Sequence, residues 1–344
     1  MRRFVIKGLL FTLLQAGVLA GVYWRYEPQL LAPAGVNLMK HDILERQPSP
    51  RLVLVGGSSV RQGTSSRELE RALGYHPVNM GLSIHLGPYW QVREIEPYLR
   101  PGDVVVISFQ PRVFGEPTHT RRDDILYVIE LRPAYARFLS LQDIKPLLDR
   151  GVLPYLTYVV NQAITPREFG SLRNYETTYG DLARLPPDDP QAVRWLRMFP
   201  EHWRPCRAAG LRRFLNRFHE RCRARGVRVF FSFPSAPTPR CAENRELIEE
   251  VERRFCTGLE VPVLNRTMEA SLPMDCFNDA LFHVDRKGQR ERTAMLIERL
   301  SAALGADAPA ARQLTEPGRR TEPPRRRGRL EPPPRERRRR EPAR

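Results

Sequence analysis

Short apolar runs alternate with amphipathic segments along much of the chain. Runs rich in Val, Leu, Ile and Phe that stop at Gly, Pro or polar residues predict five buried strands of a parallel sheet. The runs lie at residues 51–55, 78–79, 103–109, 227–233 and 262–264. Helical spacing of apolar residues predicts helices at residues 65–73, 87–99, 211–225, 243–255 and 290–304. Alternation of this kind is typical of a doubly wound α/β sheet with helices on both faces.

Two long segments do not follow the alternation. Residues 120–225 carry no strand pattern and predict a mostly helical insertion that is broken at prolines. Residues 306–344 are rich in Pro, Arg and Glu and have no apolar periodicity, so we expect a disordered tail. The sequence therefore predicts an α/β domain over residues 28–305, preceded by a separate segment at residues 1–27.

That N-terminal segment has the pattern of a membrane anchor. Residues 8–24 are uncharged and mostly apolar, and at about 1.5 Å per residue they span roughly 26 Å, close to the hydrocarbon thickness of a bilayer. Arg2, Arg3 and Lys7 precede the run, which predicts a cytoplasmic N-terminus and an extracytoplasmic domain. The alternative is a cleaved signal peptide and a secreted protein, because Val18-Leu19-Ala20 resembles a small-residue cleavage site.

The excess of basic residues is only weak evidence for a particular binding partner. The formal net charge is +17, and only four of the 56 basic residues are lysines. Arg clusters in residues 306–344 can bind phosphates or another anionic polymer. Glu residues interleave with these clusters, and the predicted location is outside the cytoplasm. An anionic envelope polymer is therefore a better candidate partner for the tail than a nucleic acid, and a solvated tail without a partner is the simpler interpretation.

The cysteines do not indicate a metal site. Five cysteines lie in the C-terminal half and none forms a C-x-x-C pair, so no metal and no cofactor is expected. They are Cys206, Cys222, Cys241, Cys256 and Cys276. Up to two disulfides and a set of buried thiols are both compatible with this number.

A serine stands directly beyond the first predicted strand. Gly56-Gly57-Ser58 places a hydroxyl where a helix should begin, and ligands of open α/β sheets bind at this strand-end position. Amides at the start of the following helix can bind an oxyanion. Ser58 is therefore a candidate nucleophile. Ser59 is the alternative, because it is the next hydroxyl along the same turn.

An acid and a histidine lie four residues apart just before the last predicted helix. A serine nucleophile needs a base to remove its proton and an acid to hold that base in the right tautomer. Asp279 and His283 supply both from one short loop. The alternative interpretation is a surface histidine beside a capping aspartate.

Three segments resemble, in the same order, the first, second and last blocks of the SGNH (GDSL-like) hydrolase superfamily. They are Gly56-Gly57-Ser58, Val78-Asn79-Met80-Gly81-Leu82-Ser83, and Asp279 to His283 followed by Gly288 and Arg292-Thr293. Bacterial membrane-anchored members with Gly-Gly-Ser in the first block are the most similar. The resemblance covers residues 50–110 and 227–304. It implies a flavodoxin-like α/β fold of the SGNH-hydrolase type, with a helical insertion.

The resemblance also implies roles for single residues. Ser58 would be the nucleophile and His283 the general base. Asp279 would orient the imidazole, although the superfamily sets this acid three residues before the histidine. The backbone amides of Ser58 and Gly81 would form the oxyanion hole.

The chain departs from the superfamily at the third block. The superfamily has an asparagine there whose side chain is a further oxyanion donor, whereas this chain has Gln110-Pro111-Arg112 after the third long strand. Gln110 and Asn79 are the two candidates for the missing donor. Losing one such donor costs about 10²- to 10³-fold in rate.

Together these features predict a membrane-anchored, extracytoplasmic serine esterase or O-acyltransferase of the bacterial inner membrane. The resemblance suggests acyl esters of envelope polysaccharide as substrates. The alternative is a catalytically inactive SGNH-like scaffold of the cell envelope, which the absence of the third-block asparagine motivates.

Overall fold

A sheet of five parallel strands forms the centre of the computed structural model, which describes residues 2–30, 32–115, 132–139, 175–183, 185, 203 and 207–305. The strands are β1 (Arg51–Gly56), β2 (His76–Asn79), β3 (Val104–Ser108), β4 (Arg228–Ser232) and β5 (Val263–Asn265). Their order across the sheet is β2-β1-β3-β4-β5, and every neighbouring pair is parallel. This order is compatible with a flavodoxin-like fold. The predicted α/β class and all five predicted strands are confirmed.

The helices follow the strands in the expected alternation. They are α1 (Arg2–Leu30), α2 (Ala32–Arg46), α3 (Ser58–Gly63), α4 (Ser66–Leu73), α5 (Pro88–Ile95), α6 (Arg112–Gly115), α7 (Ala209–Ala224), α8 (Thr238–Glu243), α9 (Arg245–Cys256) and α10 (Arg286–Leu304). Short 3₁₀ turns lie at Ile84–Leu86, Glu96–Tyr98, Pro133–Phe138 and Met274–Cys276. The last helix begins four residues earlier than predicted, because Asp285 caps it by accepting a hydrogen bond from the Gly288 N–H at 2.7 Å.

Both faces of the sheet are covered, as the continuous apolar character of the strands requires. All residues of β1 and β3 are buried. On one face, α2, α5, α7 and α9 pack against residues such as Val53, Val55 and Phe231. On the other face, α3, α4 and α10 pack against Leu52 and Leu54. The central strand β1 therefore ends between two layers of helices, at the edge where the candidate serine follows.

The segments outside the sheet are described only in part. Most of the predicted insertion and all of residues 306–344 lie outside the described residues. The end of that insertion forms α7, which packs on the sheet through Leu211, Leu215 and Phe218. Among the described residues, no helix has both the length and the apolar character that a membrane span requires. The N-terminal anchor stays a prediction from the sequence.

Candidate active site

Ser58 is held at the carboxyl edge of the sheet by the turn between β1 and α3. β1 ends at Gly56, Gly57 occupies the position before the helix, and Ser58 is the first helical residue. A Cβ atom at Gly56 would collide with the carbonyl oxygen of Ser108 on the neighbouring strand, so only glycine allows this close approach. The first N–H groups of a helix have no partner within it, which leaves the Ser58 amide suited to an anion.

His283 and Asp279 complete a chain of hydrogen bonds to this serine. The Nε2 atom of His283 lies 2.6 Å from Ser58 Oγ, and its Nδ1 atom lies 2.8 Å from Asp279 Oδ1. A carboxylate can only accept, so Nδ1 carries the proton and Nε2 is free to accept the serine hydroxyl. This is the arrangement in which imidazole acts as a general base toward serine.

A tight loop brings the acid and the base together despite their four-residue spacing. The N–H of Asn278 donates to the carbonyl of His283 at 3.1 Å, and Phe277 pairs with Val284 as an antiparallel bridge. Burial opposes ionisation of the Asp279 carboxyl, but the hydrogen bond and charge of His283 outweigh it, so the pKa of Asp279 lies below its ordinary value. The carboxyl is therefore ionised at neutral pH and can stabilise an imidazolium.

The alternative serine does not reach the base. Ser59 is 2% exposed, and within the described residues its Oγ has no hydrogen-bond partner. Successive helical residues point about 100° apart, so only one of two adjacent hydroxyls can face His283. The structure places Ser58 at the histidine and Ser59 in the interior.

Of the two candidates for the missing oxyanion donor, the structure brings Gln110 to the serine. Its Nε2 atom donates to Ser58 Oγ at 3.4 Å, and its side chain is nearly buried two residues beyond the end of β3. An amide in this position can donate a hydrogen bond to the negative charge that develops when the hydroxyl oxygen bonds to a carbonyl carbon. Gln110 therefore lies close enough to Ser58 to remain a candidate oxyanion donor.

Asn79 is not placed at the serine. Its side chain is fully buried, with Nδ2 donating to Asp181 Oδ1 at 2.9 Å and Oδ1 accepting from the Gly81 N–H at 2.9 Å. Asn79 was expected to supply an oxyanion donor, but its side-chain amide forms these hydrogen bonds within the loop and to Asp181 instead. The Gly81 N–H, also expected in the oxyanion hole, is engaged by Asn79. Asp181 belongs to the predicted insertion, and nothing in the local pattern indicated that it would reach this loop.

Gln62 and Gln289 lie at the site and were not predicted. Gln62 is buried one helical turn after Ser58, with its Nε2 atom 3.3 Å from His283 Nδ1. Its position four residues after the serine, on the same face of α3, was the available signal. Gln289 ties α10 to α3 by donating to the carbonyls of Gln62 and Thr64 at 2.9 and 3.1 Å.

Arg292, which stands in the last of the three resembling blocks and was given no role, is a buried cation behind the strand ends. Its guanidinium donates to Ser108 Oγ at 3.2 Å, Ser232 Oγ at 3.4 Å and the carbonyl of Phe233 at 3.1 Å. Within the described residues no carboxylate pairs with it. Burial lowers the pKa of Arg292 to about 10, so the group remains charged at neutral pH. It joins α10 to the carboxyl ends of β3 and β4.

The cysteines and the acidic residues add no second site in the described ranges. Cys222, Cys241 and Cys276 are free thiols, and burial raises the pKa of the first two to about 12. The fifth, Cys206, lies outside the described residues. No cluster of His, Cys, Asp or Glu among the described residues is arranged to hold a metal ion.

Comparisons of the chain with protein-family models, with curated proteins and with solved structures gave no match in any of the three. The chemistry of the site is therefore argued from its geometry.

Proposed function

We propose that this protein is an SGNH-type serine esterase or O-acyltransferase that acts on acyl esters. The observation that carries the proposal is the hydrogen-bonded chain from Ser58 Oγ through His283 to Asp279. It lies at the carboxyl edge of a parallel sheet, where open α/β folds bind ligands. The first of the blocks that resemble the SGNH superfamily supplies Ser58, and the last supplies Asp279 and His283.

The geometry suits a two-step acyl transfer. His283 Nε2 takes the Ser58 proton as Oγ bonds to the ester carbonyl carbon, and the carbonyl oxygen becomes an oxyanion. The Ser58 N–H and the Gln110 side-chain amide would donate hydrogen bonds to this oxyanion. The imidazolium then protonates the leaving alcohol, which leaves an acyl-enzyme. Water or a sugar hydroxyl, deprotonated by His283, accepts the acyl group and restores the serine.

The proposed location rests on the apolar N-terminal run, and the proposed substrate rests on the resemblance to the SGNH superfamily. The apolar run at residues 8–24 would anchor the protein in a bacterial inner membrane, with the α/β domain outside. Envelope polysaccharide is then the acyl-bearing polymer within reach, and the Arg-rich residues 306–344 would contact anionic polymer there. If the N-terminal run is cleaved, the same domain is secreted.

A scaffold without catalytic activity is the second candidate. The observation that favours it is the Gly81 N–H, which is held by Asn79 Oδ1 instead of pointing to an open oxyanion position. The third-block asparagine is also replaced by Gln110. A folded protein whose serine does not react would fit this function.

Labelling of the full chain with a fluorophosphonate separates the two candidates. An activated Ser58 is expected to react, and the reaction is expected to disappear in Ser58→Ala and His283→Ala. Ser59→Ala serves as the matched control, because it removes the adjacent hydroxyl and should label like the unaltered chain. If folded protein is not labelled, the enzyme proposal is wrong and the scaffold is favoured.

A further inference from the structure

The loop that follows β2 is held by a buried lysine from outside the motif segments. Lys40, in α2, is fully buried. Its ammonium donates three hydrogen bonds, all to backbone carbonyls: Asn79 at 2.6 Å, Gly81 at 2.7 Å and Gly180 at 2.7 Å. The number of donors on the ammonium therefore equals the number of carbonyls that surround it.

The three carbonyls belong to two segments of the chain, which also contact each other directly, since the Asn79 N–H donates to the carbonyl of Tyr179 at 2.8 Å. Gly180 has φ of +82°, and a Cβ there would lie 2.9 Å from the Asn79 oxygen and 3.2 Å from Lys40 Cγ. A side chain at this position would be strained and would also separate the two segments. Asp181 also holds this loop, because its Oδ1 atom accepts a hydrogen bond from Asn79 Nδ2 at 2.9 Å.

The held loop lies directly against the elements that carry the nucleophile. The N–H of Leu82 donates to the carbonyl of Gly56 at 3.2 Å, two residues before Ser58. A Cβ at Gly81 would lie 2.5 Å from the Arg61 nitrogen and 2.9 Å from Val60 Cβ, both in α3. A shift of the loop must therefore shift the turn from β1 into α3, and Ser58 with it.

We propose that Lys40 is a positioning residue for the reaction, because its ammonium fixes the Asn79–Gly81 loop against the turn that presents Ser58. The inference rests on the proposed function, since it concerns the reactivity of the same serine. A neutral amine has two N–H donors for the three carbonyls, so one carbonyl would face a lone pair. The position of the loop therefore depends on the third proton.

The groups around Lys40 determine the pH at which its ammonium loses this proton. Asp181, Glu94, Arg61 and the ring of Tyr175 face the ammonium from the elements packed around it. Burial lowers the pKa of Lys40 to about 7, helped by the charge of Arg61 and opposed by the charges of Asp181 and Glu94. Raising the pH through this value removes the third donor.

The first test compares fluorophosphonate labelling rates of full-length proteins between pH 6 and pH 9. Lys40→Met has no donor, and Lys40→Gln keeps two donors that do not titrate. Lys287→Met is the matched control, since Lys287 is an exposed lysine paired with Asp275 at 2.8 Å. A misplaced reacting group costs on the order of 10²-fold in rate. We therefore expect the ratio of unaltered to Lys40→Met rates to be about 10² at pH 6 and to fall as the pH rises.

Taking the ratio at each pH cancels any pH dependence of labelling that the two proteins share. The ratio of the Lys40→Gln rate to the Lys40→Met rate is expected to stay constant with pH, because the amide of glutamine does not titrate. A ratio that does not change with pH would mean that Lys40 only fills space, and it would overturn the proposal. Lys287→Met should give a ratio of about 1 throughout.

Amide hydrogen exchange at pH 6 tests the loop without relying on activity. Peptides that cover residues 79–82 should exchange faster in Lys40→Met than in the unaltered protein, with circular dichroism used to confirm that both are folded. Unchanged exchange would overturn the role of Lys40. If no protein is labelled at any pH but the exchange differs as expected, the proposed function fails while Lys40 still positions the loop.

Discussion

The roles of single residues at the site depend on which groups can donate a hydrogen bond and which can only accept one. Asp279 accepts from His283 Nδ1, which leaves Nε2 to accept from Ser58 Oγ at 2.6 Å. Ser59, although adjacent, lies in the interior without such a base. Position therefore distinguishes the two hydroxyls, whereas the ability of Ser58 to donate to His283 depends on the tautomer of the imidazole, which the carboxylate determines.

Replacing the carboxylate should accordingly slow the reaction without removing the serine or its base. In Asp279→Asn, the amide would donate toward Nδ1 and favour the wrong tautomer, so we expect a loss of about 10²- to 10⁴-fold in the labelling rate. The measurement is the second-order rate constant with a fluorophosphonate at pH 7.5. Asp275→Asn is the matched control, because this exposed acid forms its ion pair with Lys287, outside the site. A rate equal to that of the control would exclude Asp279 from the mechanism.

At the scale of elements, the site depends on how closely β1 approaches β3. Gly56 lies beside Ser108 in the parallel register, and a Cβ at Gly56 would collide with the Ser108 carbonyl. Gln110, which reaches Ser58, follows the same strand two residues later. The spacing of these two strand ends thus determines the geometry of nucleophile and donor together.

Gly56→Ala is expected to lower both stability and reactivity. Forcing extra volume into a packed interior costs about 1 to 3 kcal/mol, and here the obstacle is a backbone carbonyl that cannot rotate away. Urea unfolding monitored by circular dichroism gives the stability, and labelling gives the reactivity. Gly210→Ala is the control, since its nearest atom is the Tyr89 hydroxyl at 3.3 Å and alanine favours helix. If the two variants are equally stable, the tight contact at Gly56 is not needed.

The strands can be predicted from the sequence more completely than the contacts around the site, and the reason is physical. The strands are predictable because buried parallel strands are continuous apolar runs, as in the residues of β1 and β3. Ser58, Asp279 and His283 come from short motifs whose partners are local or known from the resemblance. The roles of Lys40 and Arg292 have no local signal, because Lys40 bonds to carbonyls 39 to 140 residues away. Such contacts exist only once the chain has folded.

At the scale of the whole molecule, α2 belongs to the α/β domain although it precedes every strand. Val36, Ile43 and Leu44 of this helix are almost fully buried. The carbonyl of Leu44 accepts from Arg51, whose guanidinium also pairs with Asp103 at 2.5 Å. The helix therefore contributes to the core as well as carrying Lys40.

Deletion of residues 1–50 should consequently unfold the domain, whereas deletion of residues 1–31 should not. Burial of a large apolar side chain stabilises by about 1.5 to 3 kcal/mol, so loss of the three α2 side chains removes roughly 5 to 9 kcal/mol. That range is comparable with the whole stability of a typical domain, about 5 to 15 kcal/mol. Thermal unfolding by circular dichroism distinguishes the two deletions. A cooperative transition in the shorter chain would show that α2 is dispensable.

The serine and its base are separated by 225 residues along the chain, and this has a consequence for synthesis. Ribosomes add about 5 to 20 residues per second, so Ser58 exists for roughly 10 to 45 s before His283 is made. During that interval Leu296, Leu300 and Leu304 of α10 are also missing from the face of the sheet that they cover. A nascent chain therefore carries Ser58 without His283, and the hydrogen bond between the two side chains forms only after the last part of the domain has been made and has docked.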